Sequence, residues 1–144
     1  MFMPVAETPE PTPAQAVEFG PAVLDGNFSF EVTYMSRTAG VIDLGNIYFD
    51  RFPEGEFVIV DYVLTNVSGE SQTFFPLSST LTDGTTSYQP DDYDWVATGS
   101  SASFELGPGE SFPTSIMFDV PRGTDVQSIK FHGSPASAGV TVDL

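Results

Sequence analysis

Residues 54–75 read EGEFVIVDYVLTNVSGESQTFF, and the fold follows from how this stretch alternates and where it stops. Val58, Val60, Tyr62 and Leu64 fall on one face of an extended chain, while Phe57, Ile59, Val63 and Thr65 fall on the other, interrupted by Asp61. A strand apolar on one side and mostly apolar on the other belongs in the middle of a sheet, covered on part of its second face. It ends at Asn66-Val67-Ser68-Gly69-Glu70, a run of turn formers that reverses the chain. Here the Asn66 amide is expected to bond turn backbone two residues on.

Working outward, Phe28, Phe30, Val32 and Tyr34 alternate with Ser29, Glu31 and Thr33, which predicts a half-buried strand with those four residues inward. Further strands are expected over 72–82, broken by Pro76, then 86–89 after the Asp83-Gly84 turn, 102–106, 111–120, 126–132 and 138–144. Phe112, Ile116, Phe118 and Val120 share a face, as do Val140, Val142 and Leu144. No ten-residue window carries apolar residues at helical spacing. Eight or nine short strands with regular turns predict an all-β chain, a two-sheet antiparallel β-sandwich in preference to a barrel.

Composition narrows the function. The 144 residues are one domain's worth of chain, with 13 Phe for an aromatic core. Twenty acidic residues oppose Arg37, Arg51, Arg122 and Lys130, a formal charge of −16. Nucleic acid is therefore not the expected partner, because phosphate binding needs clustered cations, and an anionic membrane surface is no better. Cations and basic partners suit such a surface. The absence of Cys excludes disulfides and thiolate chemistry. No apolar run approaches the ~20 residues of a membrane span. Residues 1–17, with four Pro and two Glu, are expected to be a flexible tether, leaving 18–144 as the folded domain.

The series GEFVIVDYVLTNVSGESQTF, TLTDGTTSYQPD, LGPGESFPTSIMFDVPRGT and GVTVDL resembles the bacterial domain-of-unknown-function family 4352 over residues 27–144. The resemblance implies an immunoglobulin-like β-sandwich of exported proteins and lipoproteins and hence an extracytoplasmic address, with function mostly unassigned; our reading is a non-enzymatic binding or adaptor module with a protein or carbohydrate partner at the cell surface. The family offers no agreed catalytic residues. The missing lipid-attachment Cys and the acidic insert at 91–94 depart from its simplest pattern.

Three constellations bear on chemistry. Tyr88, Tyr93 and Trp95 are a candidate stacking platform for a carbohydrate, or else rings packed on the edge of the fold. Asp91, Asp92 and Asp94 are candidate ligands for weakly bound Ca²⁺, without the Gly and closing Glu of an EF-hand, or else a solvated acidic loop. His132, the single His, lies in a phase that predicts solvent exposure; a hydrolase built on it needs a Ser hydroxyl and a carboxylate within reach of the ring. Asp61 is expected to be exposed or locally hydrogen-bonded.

Overall fold

The computed structural model describes residues 19–39, 53–91 and 103–144. Among them are ten strands: β1 (Val23–Asp25), β2 (Phe28–Thr38), β3 (Glu56–Asn66), β4 (Gln72–Phe74), β5 (Thr80–Thr82), β6 (Ser87–Tyr88), β7 (Phe104–Leu106), β8 (Ser111–Val120), β9 (Ser128–Phe131) and β10 (Val140–Asp143). A 3₁₀ turn at Pro76–Ser78 sits where Pro76 interrupts the predicted 72–82 strand. Every pairing is antiparallel. The sheets run β1-β2-β3-β8, β10-β9-β5-β6 and β4-β7.

β3 is central, as its two-sided apolar pattern requires, with β2 paired along one edge and β8 along the other. Val58, Val60, Tyr62 and Leu64 are buried and meet Leu81, Ile129, Phe131 and Val142 of the second sheet in one cluster. The two sheets touch through rings. Phe131 stacks on Phe30 at 4.6 Å and lies 4.8 Å from Tyr62, while Phe74 of β4 meets Phe28 edge-on at 5.4 Å. Fully burying each such side chain stabilises by about 1.5–3 kcal/mol, so these rings carry much of the fold. On the outer face, Phe57 and Met117 are 0% exposed, so the second side of β3 is covered towards its Glu56 end.

β2 departs from its predicted phase. The register with β3 shifts between Val32 and Tyr34, making Thr33 an extra residue. Beyond this bulge every side chain changes face. Tyr34 is therefore 45% exposed instead of inward, and Met35 packs on the core in its place. Phe112 keeps the parity of Ile116, Phe118 and Val120 but is 40% exposed, resting on Phe104 at 5.1 Å near the start of β8.

The antiparallel order sets Asn66, the β1–β2 turn and the start of β8 at one end of the first sheet. Glu56, Thr38 and Val120 lie at the other.

Candidate functional site

At the Glu56 end, β3 begins beside the end of β8, with Glu56 opposite Val120. Gly55 approaches so closely that a Cβ on it would stand 2.1 Å from the Val120 carbonyl oxygen, which restricts the position to glycine. Asp119 fixes the approach, its carboxylate accepting the Glu54 N–H at 2.8 Å and the Gly55 N–H at 3.1 Å. Arg122 Nε donates to the Gly55 carbonyl at 3.3 Å. From the segment that follows β6, Pro90 bridges to Phe118 and the Asp91 N–H donates to the Met117 carbonyl at 2.8 Å. These segments enclose an open cleft of about 640 Å³, lined by Glu54, Gly55, Gln89, Pro90, Asp91 and residues 119–122.

A charged clasp borders the cleft. Past the bulge, Arg37 stands opposite Val58 and pairs with Glu56, and its Nη2 also donates to the Thr124 carbonyl at 2.8 Å. The Gly123 N–H reaches Glu56 Oε1 at 3.0 Å. The Arg37 hydrogen bond, followed by that of Gly123, holds the Glu56 carboxyl below the usual range against the opposing effect of burial.

The sequence-predicted residues are distributed as follows. Asp91 lines the cleft but is only 8% exposed, so at this position the expected solvated loop is instead backbone tied onto β8. Tyr88 is half-buried with its ring against the core, its hydroxyl donating to Asp83 at 3.4 Å. Asp92, Tyr93, Asp94 and Trp95 lie outside the described residues, and with them most of the platform and Ca²⁺ readings. Among the described residues no three His, Cys, Asp or Glu side chains are placed to hold a metal ion.

His132 is half-buried rather than solvent-facing, because the 133–139 loop folds back over it and Nδ1 bonds the Ser137 carbonyl oxygen at 3.0 Å. Ser137 and Asp25 do come close, but the wiring is not that of a nucleophile. The Ser137 hydroxyl donates to Asp25, which also accepts the Gly133 N–H at 2.7 Å and the Gly139 N–H at 3.2 Å. The hydroxyl is thus bonded to the acid, and the ring nitrogen to a carbonyl. The Ser137 bond, then the Gly133 N–H, keeps Asp25 below its ordinary carboxyl range. The cluster ties edge strand β1 to the loop between β9 and β10.

In the sequence alone, Glu54, Gly55, Asp119 and Arg122 carry only faint signs of a site. Their signals are a Gly just before the strongest strand and the Pro121-Arg122-Gly123 turn closing another. Only the strand pairing brings them together.

The family model described as a domain of unknown function, DUF4352, matches residues 17–141. The chain belongs to the DUF4352 family. No curated protein matches it. The crystal structure of the yjhA protein from Bacillus subtilis is similar in fold, with a TM-score of 0.59 over 83% of this chain and 84% of that one, at 15% identity. The DUF4352 assignment agrees with the resemblance carried by the Asn66, Asp83-Gly84, Pro108-Gly109-Glu110 and Phe118–Pro121 segments.

Proposed function

We propose that this DUF4352 chain is an immunoglobulin-like β-sandwich that works outside the cytoplasm as a non-enzymatic binding or adaptor module, presenting its open cleft to a protein or carbohydrate partner at the cell surface. The carrying observation is the cleft's lining. Among the described residues it contains no Ser, Thr, Tyr, Lys or His, and the Asp119 carboxylate within it is already bonded by two backbone N–H groups. Such a wall offers shape, carbonyls and charge for recognition. The wiring of His132 and Ser137 supports the same reading, since each is engaged in holding a loop. The sandwich and the extracytoplasmic address are supported by the inner faces meeting across Phe30 and Phe131 and by the Pro-rich composition of residues 1–17.

The test is amide chemical-shift mapping of the ¹⁵N-labelled chain against fractionated cell-surface protein and purified wall polysaccharide. Selective shifts at Gly55, Gln89 and Arg122 with one of them are the expected result. Turnover of an ester, peptide or glycoside substrate that His132→Ala abolishes would overturn the reading.

A further inference from the structure

The outer face of β3 carries one residue out of keeping with its neighbours: Asp61, between Ile59 and Val63. The Thr33 bulge decides what stands opposite it. With one extra residue in β2, Tyr34 becomes the Cα partner of Asp61, and its ring is turned outward, 45% exposed. On the other flank Ser115 of β8 is the partner of Asp61, and its hydroxyl donates to Asp61 Oδ1 at 2.6 Å. Thr33 Oγ1 donates to the Asp61 carbonyl at 3.3 Å. Asp61 Oδ2 accepts no hydrogen bond from the described residues. Thr33, Asp61, Pro113 and Ser115, with Tyr62, Phe112 and Thr114, line a surface pocket of about 320 Å³, separate from the cleft, and Tyr34 stands next to this lining as the Cα partner of Asp61.

Around the Asp61 carboxylate the chemistry of this pocket is one-sided. The hydroxyl protons of Thr33 and Ser115 both go to Asp61, and Pro113 has no N–H, so these groups present lone pairs outward. Ammonium and guanidinium groups are the donor-only side chains that complement acceptors, and an aromatic face beside a carboxylate adds cation–π attraction. A net charge of −16 favours the approach of a cation further. We propose that Asp61 and Tyr34 form a binding site for a cationic side chain, the ammonium or guanidinium of a basic partner peptide. Asp61 Oδ2 receives the N–H, the Ser115 bond orients the carboxylate, and the Tyr34 ring covers the alkyl stem or guanidinium plane. The site is independent of the cleft and of its partner.

The experiment titrates the ¹⁵N-labelled full chain with a decapeptide of alternating Lys and Gly, at about 150 mM NaCl so that long-range attraction is screened. Parallel arms use a Glu-Gly decapeptide and the neutral sugar cellohexaose. The expected result is a set of shifts centred on the amides of Tyr34, Asp61 and Ser115 with the Lys peptide alone. Asp61→Asn, which keeps an oxygen for Ser115, should weaken binding about fivefold, and Tyr34→Ala, at an exposed ring, about threefold to fivefold. Asp143→Asn removes the same charge from an exposed position on β10 and should weaken it less than about twofold. Equal losses for Asp61→Asn and Asp143→Asn would reduce the site to diffuse attraction and overturn the proposal. So would shifts confined to Gly55 and Arg122, the same amides answering to cellohexaose, or no binding of the Lys peptide.

Discussion

The two ends of the first sheet solve the same problem with different chemistry. At the Asn66 end, a neutral amide with 0% exposure holds the turn: Nδ2 donates to the carbonyls of Glu70 at 2.8 Å and Leu106 at 2.9 Å, and Oδ1 accepts the Ser68 N–H at 2.8 Å. At the Glu56 end, charged groups do the tying, with Asp119 on the 54–55 backbone and Arg37 between Glu56 and Thr124. A neutral group avoids the desolvation cost of a buried charge, so it fits the one position at this end where the side chain itself is fully buried. Charged groups suit the end that stays open to water around a cleft. The two ends should therefore answer differently to truncation, acid and salt.

Truncation should expose the contrast most strongly. Asn66→Ala leaves the buried Leu106 carbonyl without its partner, while the Ser68 N–H lies in a half-exposed turn that water can reach, so a loss of about 1–3 kcal/mol is expected. A urea melt with an unchanged m-value measures it. A loss under about 0.5 kcal/mol would place this amide among ordinary surface groups and erase the distinction between the ends.

Glycine substitutions sharpen the comparison at smaller scale. Gly55→Ala drives a methyl into the Val120 carbonyl and should cost about 1–3 kcal/mol through backbone displacement. At the other end, a Cβ on Gly69 meets nothing within 4 Å and its φ is not positive, so Gly69→Ala should be neutral or stabilise by up to about 1 kcal/mol. Equal effects in thermal melts would mean that the close approach of β3 to β8 can relax freely.

This contrast was half legible in the sequence. β3, its central position and the Asn66 amide bond to Ser68 could be read because alternation and turn chemistry are local. The bulge could not: Thr is at home on either face of a strand, so nothing in Val32-Thr33-Tyr34 marks the residue at which the phase inverts. β1 was missed because a three-residue edge strand is too short to show a period. The exposure of His132 departs from its strand phase because a loop covering it, not the strand, sets how much of it water reaches. The cleft was invisible for a different reason. Gly55 and Val120 are far apart in sequence, and their contact exists only through the register of β3 with β8.

Acid should act on both ends, with salt separating them. The folded-state pKa values of Asp25 and Glu56 are both lowered, so each carboxylate contributes stability that is present above its ordinary value, 3.8 and 4.5 respectively, and lost as pH falls through its folded value. Stability should thus be flat above about pH 5.5 and decline below about pH 4.5. Asp25 owes its shift first to the Ser137 hydroxyl, a neutral donor that salt scarcely screens, whereas Glu56 owes its shift first to the Arg37 cation. Asp25→Asn should therefore remove a salt-insensitive part of the acid slope, and Glu56→Gln a part that about 0.5 M NaCl already weakens. Identical salt responses would show that both carboxylates answer to overall charge.

The smallest effect belongs to the ion pair itself. Arg37→Met keeps much of the side-chain stem across the end of the core but deletes the donors to Glu56 and Thr124. Since the guanidinium is exposed, the pair contributes only about 0.2–1 kcal/mol, and the loss should fall in that range at low salt and shrink as salt rises. Removing one of only four cations also takes the formal charge from −16 to −17, which adds a little repulsion to the count. Lys130→Met makes the same change of charge on β9, away from the clasp, and serves as the control. If the two variants lose equal stability at every ionic strength, the clasp contributes nothing beyond net charge, and the charged end is held by Asp119 and the fit of Gly55 alone. If Arg37→Met loses more, and the excess disappears as pH falls through the lowered folded-state pKa of Glu56, the clasp is a bond in its own right.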